Sequence, residues 1–140
     1  EQPKVEANKI AAIGYCFGGG LVLHMAKVNP DLAGVVSYHG ALGISSNTKP
    51  ISTPVKTKIL VFNGADDPFI TKEQIAVFKQ AMKTNGADYE FIDYPGVTHG
   101  FTNPEADGFA LKFSMPLKYD EKADKDSWDK TQDFFKKVFK

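Results

Sequence analysis

Gly14-Tyr15-Cys16-Phe17-Gly18 sets the only cysteine of the chain between two glycines, each two residues away. A strand that turns directly into a helix holds a nucleophile at such a point in a strained backbone conformation, its sulfur exposed at the strand's C-terminal end. The flanking glycines leave room for the turn. With glycine at about 7% of residues, a given cysteine has this pair of neighbours by chance only roughly 0.5% of the time. The surroundings agree: residues 9–15 form an apolar run of strand length, and residues 19–27 continue as a helix to be buried. The pattern predicts strand, nucleophile turn and helix in that order, with cysteine where serine is usual. The competing reading is a buried packing cysteine beside a glycine-rich helix contact.

Working outward, residues 33–38, 58–62 and 89–94 have strand length and β-branched or aromatic content. Residues 71–83 place Ile75, Phe78 and Met82 on one helical face, and Asn85-Gly86 supplies a stop. Residues 127–139 predict a terminal helix with Ser127 as N-cap, Asp129 in its first turn and Trp128, Phe135 and Phe139 as a packing stripe. Strands alternating with helices predict an α/β fold, a mostly parallel sheet flanked by helices. Residues 41–55 read as a loop and residues 102–126 as a long irregular stretch. Long loops at the C-terminal ends of strands are where such a sheet builds its pocket.

A chain of 140 residues, 42% hydrophobic, has the length of one domain with a real core. Its 17 basic residues, all lysine, balance 17 acidic ones, so no global field favours nucleic acid or an anionic membrane. The absence of arginine removes the planar fork usually chosen for carboxylate or phosphate. Lysines thicken from Lys118 to Lys140, alternating with Asp and Glu, as on a solvated helix face. One cysteine excludes an internal disulfide framework and fits a reducing, cytoplasmic setting. No apolar run approaches the roughly 18 residues of a membrane span.

A thiol nucleophile needs a base within reach and a third group to orient the base. Cys16 follows the first strand, Asp66-Asp67 follows the third, and His99 follows the fourth. Each of these positions lies at the C-terminal edge of a separate strand, so residues far apart in sequence could converge. His99 would share the proton of Cys16, and one of the two aspartates would fix the tautomer of His99. The backbone N–H of Phe17, at a helix N-terminus, would supply an oxyanion donor. His39 also ends a strand on this edge and reads as a pocket residue; His24, inside the helix after Cys16, reads as packing or surface. The three histidines lack metal-ligand spacing, so no metal is expected. A nucleotide-binding reading fails because Cys16 occupies the second glycine position of the dinucleotide fingerprint.

Gly-Tyr-Cys-Phe-Gly-Gly at 14–19, Gly-Ala-Asp-Asp-Pro-Phe-Ile at 64–70 and Val-Thr-His-Gly-Phe-Thr-Asn-Pro at 97–104 resemble, in order, the three signature regions of the dienelactone hydrolase family. The stretches 1–8 and 119–128 resemble the family's approach to the elbow strand and its tail. The resemblance implies an α/β-hydrolase fold and a triad of Cys16, Asp67 and His99. It also implies hydrolysis of a small ester or lactone, in the manner of a carboxymethylenebutenolidase, through a cysteinyl acyl-enzyme with no cofactor. Tyr15, His39, Phe69, Phe101 and Asn103 are the accompanying pocket candidates.

Two departures qualify the likeness. Enzymes that open dienelactone itself hold its carboxylate with arginines, one shortly after the histidine, whereas this chain reads Phe101-Thr102-Asn103-Pro104 there. The family fold also has several strands before the elbow strand, so residues 1–140 resemble the C-terminal portion of a single hydrolase domain. The upstream part would carry the second oxyanion donor, whose loss costs on the order of 100-fold to 1000-fold in rate, and an acidic residue that tunes the thiol. Its absence would leave an apolar sheet edge open to an upstream segment of the same protein or to self-association. Two further readings stand beside the hydrolase: a thioesterase or acyltransferase on the same triad, and a binding or redox-responsive domain using Cys16 only as a thiol.

Overall fold

Four strands pair side by side in chain order, and every neighbouring pair is parallel: β1 (Ile10–Tyr15), β2 (Leu32–Tyr38), β3 (Lys58–Gly64) and β4 (Tyr89–Tyr94). This computed structural model describes residues 5–140, so the expectation for residues 1–8 is described only from Val5 onward. The strands are followed in turn by α1 (Phe17–Val28), the short α2 (Gly43–Ser46), α3 (Lys72–Thr84), and then α4 (Ala106–Phe113) and α5 (Glu121–Val138). A parallel sheet of this kind buries both faces, which is why its central strands read as continuous apolar runs rather than as alternating ones.

Successive residues of β2 and β3 divide between those faces. Val35, Ile59 and Val61 pack with Val22 and Leu23 of α1 and with Phe78 and Met82 of α3. Val36, Tyr38, Leu60 and Phe62 pack on the other side with Phe101 and Ala123 of α5. The start of α3 is fixed by a capping box: Gln74 N–H donates to Thr71 Oγ1 at 3.1 Å, and Thr71 N–H donates to Gln74 Oε1 at 2.8 Å.

The C-terminal third departs from the sequence reading. Residues 102–126 are not irregular, since α4 and the first turns of α5 lie there. Ser127 is not an N-cap but a buried interior residue; Asp120 caps α5 by accepting from Ala123 N–H at 2.8 Å. The buried face of α5 is Ala123, Ser127 and Thr131, small residues that let the helix close on Tyr38, whose hydroxyl hydrogen-bonds Thr131. Trp128 is 49% exposed and does not belong to the packing stripe, whereas Phe134 and Phe135 pack partly against the core. Lys125, Lys130 and Lys136 of α5 pair with carboxylates three or four residues away at the surface.

Among the described residues β1 pairs only with β2, and its six residues carry no charge and no proline to guard the free edge. Ile10, Ile13 and Tyr15 are exposed along it, and Phe17, Leu21, Met25 and Val28 continue an exposed apolar stripe down α1. No helix among the described residues is long and apolar enough to cross a membrane.

Candidate active site

Cys16 stands between β1 and α1 with φ 52° and ψ −119°, a conformation that L-residues avoid. Three backbone bonds hold it there. Its N–H donates to Tyr38 O at 3.0 Å, and its own carbonyl accepts from Gly20 N–H at 3.3 Å and Ala41 N–H at 3.0 Å. The turn is closed enough that a Cβ at Gly14 would lie 2.1 Å from the carbonyl oxygen of Gly18, whereas a Cβ at Gly18 would meet nothing within 4 Å. The two motif glycines therefore do different work: Gly14 permits the close approach, and Gly18 is not sterically required. Cys16 is exposed. Phe17 opens α1, where a helix leaves its first N–H groups without internal acceptors.

The acid and the histidine are brought together by the ends of β3 and β4. Ala65 N–H donates to Tyr94 O at 2.9 Å and Asp66 N–H to Val97 O at 3.0 Å, stitching the two loops together. Gly64 makes this approach possible, since a Cβ there would lie 2.4 Å from Val97 O. Asp66 faces solvent, while Asp67 is buried, with its side chain wholly inaccessible. Asp67 Oδ1 accepts from Phe69 N–H at 2.8 Å, and Oδ2 lies 2.7 Å from His99 Nδ1. A carboxylate only accepts, so Nδ1–H of His99 is the donor in this contact, and Nε2 takes no part in it.

His99, Cys16 and His39 line one cavity of about 990 Å³, shared with Tyr15, Phe69 and Asn103. Among the described residues neither the Cys16 thiol nor His99 Nε2 has a hydrogen-bond partner; catalytic contacts in unliganded sites are often open in this way. Phe101 is a correction to the sequence reading. It is fully buried beneath the site, edge-on to His39 with ring centroids 5.3 Å apart, and does not line the cavity. Regular alternation would keep Phe101 on the side of His99, two residues earlier, but Gly100 lies between them with φ 75° and breaks the extended backbone.

His39 is buried at the end of β2 with φ 37°, its Nε2 3.1 Å from Thr102 Oγ1 and its ring 4.8 Å from that of His99. Burial first, and then the neighbouring His99, lower its pKa to about 4, so it is neutral at pH 7. Its Nδ1 is buried without a partner. Burial raises Tyr38 to about 12, and burial followed by the Asp124 charge raises Tyr15, so both phenols keep their protons. The two rings stack with centroids 4.7 Å apart. His24 lies away from the cavity wall, its Nδ1 2.9 Å from Thr48 Oγ1. Sequence reasoning missed the wall contributed by Met115, Leu117, Asp124 and Trp128. The lone tryptophan was the available signal, but its spacing with Phe135 and Phe139 assigned it to the core. Among the described residues no group of three or more His, Cys, Asp or Glu could hold a metal ion.

A parallel sheet with a strained elbow after one strand, and with an acid and a histidine after two later ones, is part of an α/β-hydrolase fold. A model of the dienelactone hydrolase family matches residues 1–139, and the chain belongs to that family. An uncharacterized protein of Caenorhabditis elegans is 32% identical over 138 residues, which cover 98% of this chain and 85% of the nematode protein. A carboxymethylenebutenolidase homolog of Rattus norvegicus is 29% identical over 98 residues, covering 69% of this chain and 38% of that protein. A dienelactone hydrolase-like promiscuous phosphotriesterase from metagenomic libraries superposes with a TM-score of 0.81 at 29% identity, covering 98% of this chain and 55% of that one. The chain thus spans about half the length of that solved relative.

Proposed function

We propose that this chain carries the catalytic triad of a cysteine-dependent hydrolase of small esters or lactones. The observation that carries the reading is the buried Asp67–His99 pair, 2.7 Å apart, with His99 lining the same cavity as the strained, exposed Cys16. His99 Nε2 takes the proton of the Cys16 thiol as the thiolate adds to the carbonyl carbon, and Asp67 stabilises the imidazolium. The oxyanion forms beside the Phe17 N–H at the positive end of α1. Collapse breaks the carbon–oxygen bond of the ester, His99 returns the proton to the departing alkoxide, and an acyl-thioester remains on Cys16. In a lactone the alcohol stays tethered to the acyl group. Water, deprotonated by His99, then adds to the thioester; collapse releases the carboxylic acid and the thiolate, which recovers its proton.

The test is a single-turnover reaction with p-nitrophenyl acetate, followed by intact mass and peptide mapping. Acetyl on Cys16, absent from Cys16→Ala and strongly slowed in His99→Ala, is the expected result. Acetyl on another residue, or a burst that persists in Cys16→Ala, overturns the proposal. Acylation lost in Cys16→Ala yet unaltered in His99→Ala would indicate a reactive thiol without a triad.

A further inference from the structure

Charge in the cavity wall bears on what the cavity accepts. Among the described residues its wall contains no lysine, and the chain has no arginine. The wall's one carboxylate belongs to Asp124 on α5. Tyr119 Oη donates to Asp124 Oδ2 at 3.0 Å, and the adjacent Lys125 is engaged by Glu121 at the surface. His39 adds no positive charge at pH 7, since burial keeps it neutral.

One helical turn beyond Asp124, Trp128 stands half-exposed in the same wall, joined on the β1 side by the exposed Tyr15. A ligand carboxylate beside Asp124 would lose hydration and meet a like charge, with no lysine or arginine in the wall among the described residues to offset it. A ligand cation would meet a carboxylate and aromatic faces, a combination that attracts ammonium groups.

We infer that this cavity takes esters and lactones whose non-reacting portion is uncharged or cationic, a cation seating against Asp124 and Trp128, and that it disfavours substrates bearing a carboxylate. The inference rests on the reading above that this cavity is the substrate site. It separates this chain's substrates from the anionic lactone after which the family is named.

Trp128 is the only tryptophan, so its emission reports occupancy directly. The Cys16→Ala chain is titrated with butyrylcholine, with its uncharged isostere dimethylbutyl butyrate, and with the anionic butyryl ester of hydroxybutanoate, so that turnover does not intervene. The cation should bind about threefold to tenfold more tightly than the neutral ester, with the anion weakest. Asp124→Asn, read by calorimetry, should reduce the cation's advantage. Binding of the anion as tight as that of the neutral ester, or no change in Trp128 emission with any of the three, overturns the inference. Acylation of Cys16 is scored separately in the unmutated chain. Acylation with the charge order reversed would sink the substrate class and leave the hydrolase reading standing, whereas the stated order without acylation would do the opposite.

Discussion

Replacing Gly14 and Gly18 by alanine, one at a time, should give opposite results although both belong to the same motif. A Cβ on Gly14 would sit 2.1 Å from Gly18 O, 2.4 Å from Gly18 C and 2.8 Å from Gly19 N, all backbone atoms of the first turn of α1. Ordinary contact begins near 3.4 Å, so α1 must retreat from β1 by about 1 Å. That retreat works against the bond from Cys16 N–H to Tyr38 O and the bonds that Gly20 and Ala41 give to Cys16 O. Overpacking of this kind costs about 1–3 kcal/mol, and contact with rigid backbone places Gly14→Ala at about 3 kcal/mol or above. Gly18 has open space around the added carbon and no positive φ. Helix propensity alone then favours Gly18→Ala by about 0.5–1 kcal/mol. Urea unfolding of both variants measures the difference. A Gly14→Ala cost below about 1 kcal/mol, or equal costs at the two positions, would refute the steric account of the elbow.

Two further outcomes follow from the structure. The pKa of His39, lowered from 6.5 to about 4, means that the unfolded chain binds more protons between those values, so stability falls as pH drops through that window. The loss should approach about 3 kcal/mol near pH 4. His39→Asn, a residue tolerant of positive φ, should abolish that part of the acid sensitivity, and identical pH–stability curves for the two chains would contradict it. The unguarded β1 edge should drive association between copies of this chain at rising concentration, and Ile13→Lys should suppress it. Sedimentation velocity showing a monomer at every concentration would count against it.

The parts of the fold legible in sequence are those that bury large apolar groups. β2 and β3 announce themselves by length and β-branched or aromatic content, and α3 by the period of Ile75, Phe78 and Met82. The first half of α5 is invisible because its buried face is Ala123 and Ser127, chosen for close approach to Tyr38 rather than for hydrophobicity. Helix α4 is hidden for the converse reason: Phe109, Leu111 and Phe113 are exposed, and only Ala106 is buried. At the site, motif order pointed to Cys16, His99 and an aspartate after β3, but residue types alone left Asp66 and Asp67 equivalent. Their burial separates them, and burial depends on the stitching of the β3 and β4 loops. Trp128 and Asp124 reach the cavity wall through the packing angle of α5, which no local pattern encodes.

The alkylation rate of Cys16 at neutral pH, measured with iodoacetamide in the native chain, in His99→Ala and in Asp67→Asn, tests the central claim most directly, because the chain has a single thiol. If His99 draws the proton of the attacking thiol, the rate should fall about tenfold or more in His99→Ala and to a lesser extent in Asp67→Asn. Equal rates in all three chains, each folded by urea titration, would contradict the claim that Cys16, His99 and Asp67 act as one unit.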